Sequence, residues 1–133
     1  MLTDTPRLQP HDLEAEQAVL GAILTDASAL ARAQEILTPP EFYSTQHQRI
    51  FQAMGDLAQR GEPVDLLTVG NALEMNQELS KLGGRGSLAE LLTVTASASN
   101  IAHHCRIVRD HATRRRLIAL AYEINQRAYS NAA

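Results

Sequence analysis

The sequence predicts an all-α fold: a compact multi-helix head followed by one long C-terminal helix. Three observations predict it. Aromatic residues make up only 4% of the 133 residues and Trp is absent, so a core must be built from Leu, Ile, Val, Ala and Met. Such a composition suits packed helices and is poor for a β-sandwich. Apolar residues recur at helical spacing between short Pro- and Gly-containing breakers, and from Asn100 to Tyr129 there is neither Pro nor Gly.

Asp12 is placed to cap a first helix whose apolar set, Leu13, Val19, Leu20, Ile23 and Leu24, falls on one broad face. Glu14 and Glu16 lie in its first turn, where carboxylates complement the helix dipole at a solvated surface. Asp26 or Ser28 can cap a second helix that buries Leu30, Ala33, Ile36 and Leu37 and stops at Thr38-Pro39-Pro40. The Pro pair opens a short turn carrying Phe42 and Tyr43. Ser44 then caps a third helix with His47, Ile50, Phe51, Met54, Leu57 and Ala58 on a buried stripe. Gly61 after Arg60 suits a left-handed C-terminal cap. Pro63 bars continuation, and Asp65 caps the next helix, Leu66 to about Met75. A short turn, Glu78 to Leu82, ends at Gly83-Gly84. Ser87-Leu88-Ala89-Glu90 has the form of a capping box ahead of Leu91 and Leu92. The expected core is anchored by Leu20, Ile23, Ile50, Phe51, Met54, Leu66 and Leu91.

Ser99 or Asn100 can cap the last helix, which would run about 45 Å at 1.5 Å per residue. A globule of this length has a radius of gyration of about 14 Å, so the helix must bend or project. Ile101, Cys105, Val108 and Ala112 form one stripe. Leu117, Ile118, Leu120, Ala121, Ile124 and Ala128 form another, with the change of phase near Arg114-Arg115-Arg116. The first stripe is expected to pack on the head and the second on something else. The chain thus divides into a flexible N-terminal arm (1–10), a helical head (11–98) and a long basic helix (99–133).

Length and charge narrow the class. The chain is one domain by size. Its single Cys excludes an internal disulfide and fits a reducing, cytoplasmic compartment. No apolar run is long enough for a membrane span, and the N-terminus lacks the cationic start and apolar stretch of a signal peptide. The net charge of -3 is uneven: residues 1–95 carry 13 acidic and 6 basic side chains, whereas residues 96–133 carry 2 and 6. An acidic body is a poor nucleic-acid platform, because duplex affinity comes mainly from neutralising phosphates. The basic last helix can pair with an acidic face of a neighbouring subunit or partner. The alternative is that it binds single strands, but stacking platforms need exposed aromatics, and this segment offers only Tyr122 and Tyr129.

No catalytic, cofactor-binding or metal-binding residue is expected. His103-His104-Cys105 has metal-like composition, but neighbours on a helix point about 100° apart and cannot converge alone. Zinc sites use i and i+4 spacing or paired loops, whereas His111 is seven residues from His104. Cys105 reads as a small core residue. His47 lies on an apolar stripe beside Phe51 with no nucleophile motif, which favours a buried, hydrogen-bonded histidine over a catalytic base. The chain also lacks a Gly-x-x-x-x-Gly-Lys-Ser/Thr loop, and with it a phosphate cradle for ATP.

An ordered set of short motifs carries a family resemblance over about Pro10 to Tyr129. These are Ala15-Glu16-Gln17-Ala18-Val19-Leu20-Gly21, Phe42-Tyr43, His47-Gln48-Arg49-Ile50-Phe51, Gly61-Glu62-Pro63-Val64-Asp65-Leu66, Gly83-Gly84, Asn100-Ile101 with Ile107-Val108, and Arg115 with Leu117-Ile118. Together they resemble the amino-terminal domain of bacterial replicative DNA helicases of the DnaB type. The resemblance implies a non-catalytic assembly and docking domain acting in DNA replication and primosome formation, within a hexameric ATP-dependent helicase. It implies a helical head followed by a helical hairpin, with hairpins pairing between subunits and heads forming a collar that receives the helicase-binding domain of primase. A helicase loader is a further partner, and nucleic acid at most a weak one. On this resemblance Glu14, Arg85 and Ser87 are candidates to face primase, and Leu117, Ile118, Leu120 and Ile124 to form the subunit interface. ATP and Mg²⁺ would belong to a motor domain outside these 133 residues. The long helix would be the first arm of the hairpin, and the chain an excised domain whose second arm is absent.

Overall fold

The computed structural model describes residues 8–93 and 100–130, and within them all regular structure is helical. Six α-helices follow in order: α1 (Leu13–Thr25), α2 (Ala29–Ile36), α3 (Thr45–Gln59), α4 (Leu66–Met75), α5 (Gly84–Glu90) and α6 (Ile101–Tyr129). Tight 3₁₀ turns at Pro39–Glu41, Ser80–Leu82 and Leu91–Thr93 connect them. Most starts follow the expected chemistry. Asp12 accepts from the Ala15 amide, Ser44 from His47, and Asp65 from Thr68, whose hydroxyl accepts in return from the Asp65 amide. Asp26 accepts from both the amide and the hydroxyl of Ser28, which hold its carboxyl below the ordinary range. Gly61, at φ 73°, closes α3 in the left-handed conformation.

Helix α1 is the centre of the head. It packs against α6, α2, α3 and the Leu91–Thr93 turn. Its buried residues run without interruption from Ala18 to Leu24, so it is enclosed nearly all round rather than on one face. Gly21 makes one close approach possible: a Cβ there would collide with the Leu91 carbonyl. Around α1 the core gathers Leu30, Phe42, Ile50, Phe51, Met54, Val69, Leu73, Leu88, Leu91, Ile101, Cys105 and Val108, with Phe42 and Phe51 packed ring to ring, centroids 5.0 Å apart.

Several expectations are corrected. Leu13 is exposed and Leu66 only half-buried; each is the first residue of its helix, at the rim of the head. Ala58 faces solvent in the last turn of α3, and Ala53 is buried instead. Ile36 is partly buried at the edge of the core. Ser87 caps nothing, because α5 already begins at Gly84. Gly83 and Gly84, at φ 93° and 79°, complete the turn three residues earlier, and the Gly84 amide donates to the Leu79 carbonyl. Glu16, expected at a solvated surface, is buried. Of the two candidate caps of α6, Asn100 holds the position without a side-chain hydrogen bond, and Ser99 lies outside the described residues.

Candidate assembly and docking surface

The two apolar stripes of α6 have different fates. Ile101, Cys105, Val108 and Ala112 are buried in the head. Past Arg115 every described residue is exposed to the end of the helix, which continues unbroken as a projecting arm. At about 100° per residue the line through Leu117, Ala121, Ile124 and Ala128 lies roughly 160° from the head-facing line. Leu117 and Ile124 therefore point away from the body, and Ile118 and Leu120 flank them on opposite sides of the helix. Leu117 is 61% exposed, Ile118 46%, Leu120 52% and Ile124 59%. Four large aliphatic side chains exposed within about two turns are the kind of feature that marks an interaction surface.

The root of the arm is built by two polar clusters. In the first, Glu16 is 1% exposed. Its carboxylate accepts from the Tyr43 amide at 2.7 Å, the Ser44 amide at 3.3 Å and His47 Nδ1 at 2.7 Å. It also faces the N-terminus of α3, where the helix dipole favours negative charge. Glu16 thus fastens the Phe42–Ser44 turn and α3 onto α1, and it gives buried His47 the partner its position required. In the second cluster, Arg115 donates from Nη1 to the Pro10 carbonyl at 2.7 Å and from Nη2 to the Glu41 carbonyl at 2.8 Å. Its guanidinium carbon lies 5.4 Å from the centroid of the Tyr43 ring, and His11 stacks on the same ring at 4.1 Å.

The three residues expected to face a partner sit as follows. Glu14 is exposed in the first turn of α1, and its side chain makes no hydrogen bond or ion pair to a described residue. Arg85 is committed within the head: Nη2 donates to Asn71 at 2.8 Å and to Glu74 at 2.6 Å, and the side chain lies over Gly70, bracing α5 on α4. Ser87, two residues on, is half-buried against Gly83. The His-His-Cys run spreads over three environments, His103 exposed, His104 half-buried and Cys105 buried. Burial pushes the Cys105 thiol up to about 12, against the opposing pull of the Arg106 charge. The residues that sequence reasoning missed are Glu16 and the Arg115 contacts. Each continues the buried line of its helix, Glu16 ahead of Leu20 and Ile23, Arg115 after Val108 and Ala112, and that periodicity is the signal that marks them.

The sequence and the fold have known counterparts. Residues 8–110 match the family model of the DnaB-like helicase N terminal domain. The replicative DNA helicase DnaB of Geobacillus stearothermophilus is 46% identical over 124 residues, 93% of this chain but 27% of that protein, so the chain spans about a quarter of its length. Among solved structures, the N-terminal domain of DnaB helicase from Mycobacterium tuberculosis superposes with a TM-score of 0.90 at 37% identity, covering 94% of this chain and 87% of that one. A DnaB-like replicative helicase, described together with its interactions with primase, matches 87% of this chain and 27% of its own, with a TM-score of 0.74 and 35% identity. By a family match over most of its length and close relatives in both sequence and fold, the chain belongs to the DnaB-like helicase N-terminal domain family.

Proposed function

We propose that this chain is the non-catalytic assembly and primase-docking domain of a cytoplasmic replicative DNA helicase, acting in DNA replication and primosome formation. ATP and Mg²⁺ serve a motor domain elsewhere in such a protein. The observation that carries the reading is the outward apolar stripe of the arm, which has no partner among the described residues and lies on the far side from the head. In this reading the long helix of residues 99–133 is the first arm of a helical hairpin and joins copies of the chain through Leu117, Ile118, Leu120 and Ile124. The head carries the docking face for the helicase-binding domain of primase, the partner of the related helicase described above, and Glu14, Arg85 and Ser87 are the candidates on it. A helicase loader is a second partner of the same collar. Nucleic acid is at most a weak ligand, since the exposed aromatics of the arm are Tyr122 and Tyr129 and base stacking needs a fuller platform.

Calorimetric titration of the chain with an isolated primase helicase-binding domain, beside a titration with a single-stranded oligonucleotide at several salt concentrations, tests this. Binding to the primase domain that survives physiological salt, and oligonucleotide binding that is weak and fades with salt, is the expected result. Tight oligonucleotide binding with no response to the primase domain would favour the single-strand reading instead.

A further inference from the structure

Helix α6 is a rod seated on the head over Ile101–Ala112, about 18 Å, with a free length of about 25 Å beyond it. Any rocking in the seat is magnified at the tip. Two arginines stand at the mouth of the seat. At about 100° per residue, Arg115 and Arg116 fall roughly 50° to either side of the line drawn by Ile101, Cys105, Val108 and Ala112. Both reach back to the head. Arg116 lies 3.7 Å from the Glu41 carboxylate, and Arg115 grips the Pro10 and Glu41 carbonyls beneath the Tyr43–His11 stack.

The acceptors of Arg115 belong to segments far apart in sequence. One is the N-terminal segment, which enters α1 at Asp12. The other is the Pro39–Glu41 turn, made rigid by its two prolines and by Glu41 accepting from the Thr38 amide and hydroxyl. The neighbouring Tyr43 is itself tied to buried Glu16. Arg115 therefore joins a fixed point of the head, the N-terminal segment and the arm through one planar, forked cation. A lysine presents a single point charge on a flexible stem and cannot hold two carbonyls with the same geometry.

We infer that Arg115 is the positioning residue that sets the direction in which the arm leaves the head, and that residues 8–11 are the strap through which it is held. Whatever draws the strap off Tyr43 loosens the arm and changes the geometry with which its apolar stripe meets a partner. This holds whatever that partner is.

Distance measurement between spin labels tests it. Labels at Gln59→Cys on the head and Gln126→Cys on the arm are placed in a Cys105→Ala background and spin-diluted with unlabelled chain, so that only distances within one molecule are read. Arg115→Met, and separately deletion of residues 1–10, should each broaden and shift the head-to-tip distribution. The two together should add nothing beyond Arg115→Met alone, because the deletion removes only the Pro10 part of the link that Arg115→Met removes entirely. Arg115→Lys should fall between. Circular dichroism reports whether each variant is folded; if Arg115→Met does not fold, the deletion decides alone. An unchanged distribution in the folded single variants, or effects that sum, would overturn the inference.

Discussion

Glu16 illustrates how much one buried carboxylate can organise. Three N–H donors from the Tyr43–His47 segment converge on it, so its removal leaves the buried His47 and two part-buried amides without their acceptor. Each donor left unsatisfied costs about 1–3 kcal/mol, so the three together cost roughly 3–5 kcal/mol. Glu16→Ala should lose that much in urea melts, while Glu14→Ala, two residues away and exposed, should stay within about 0.5 kcal/mol. Equal effects would show that Glu16 is not the node. Gly21 offers a contest between two effects. Alanine in a helix interior gains roughly 1 kcal/mol over glycine, but here its Cβ meets the Leu91 carbonyl, a backbone atom with little freedom to move. Overpacking costs about 1–3 kcal/mol, so Gly21→Ala should destabilise on balance; a raised midpoint would mean the Leu91–Thr93 turn yields easily. Phe51, buried against Phe42, should cost about 3–5 kcal/mol on truncation to alanine, and a loss below about 1 kcal/mol would contradict its place in the core.

Helix α6 was the most readable element, because its two stripes differ in phase and nothing interrupts them. Cys105 lies on the buried stripe, and its raised thiol gives a pH test with a definite sign. The unfolded chain ionises the thiol near 9.0, whereas the folded chain keeps it neutral to about 12. Above 9.0 the unfolded state holds fewer protons, so stability falls as pH rises. Wild type should therefore lose stability relative to Cys105→Ala between 9.0 and about 12, and native Cys105 should resist alkylation until denaturant unfolds the head. A native alkylation rate matching that of a free thiol would contradict its burial. Caps at Asp12, Ser44 and Asp65 were legible because a short polar side chain before an apolar run has one good use. The start of α5 was not: Ser87 fits a capping box locally, but the paired glycines fix the turn upstream, a backbone property that the Ser-x-x-Glu pattern does not encode. Arg115 and Glu16 were hidden for a related reason. Charged residues are read as surface by default, and only their position on a buried line, combined with a tertiary partner, overrides that default.

Across the molecule, the acidic head and the basic arm divide the work by surface. The head closes its own core around α1, and none of the arm past Arg115 takes part in it. Sequence periodicity revealed this division, since the distal stripe had no partner of matching phase. The proposed docking face on the head was not legible from pattern, because polar surfaces carry no period; Glu14, Arg85 and Ser87 entered through the family resemblance, and the structure ties Arg85 to α4. Burying Leu117, Ile118, Leu120 and Ile124 between copies offers roughly 1.5–3 kcal/mol each. Against this stand the entropy of association and the marginal stability of a helix unsupported along its length. The balance favours weak, concentration-dependent self-association of the isolated chain. The central claim is that the outward stripe joins copies while the head folds without it. Analytical ultracentrifugation of wild type and of the Ile118→Glu, Ile124→Glu double variant, over a wide concentration range, tests it most directly. The account predicts a mass that rises with concentration for wild type and stays monomeric for the variant, with the head's cooperative unfolding unchanged. A hexamer that persists on dilution, identical association in the double variant, or loss of the head fold would contradict it.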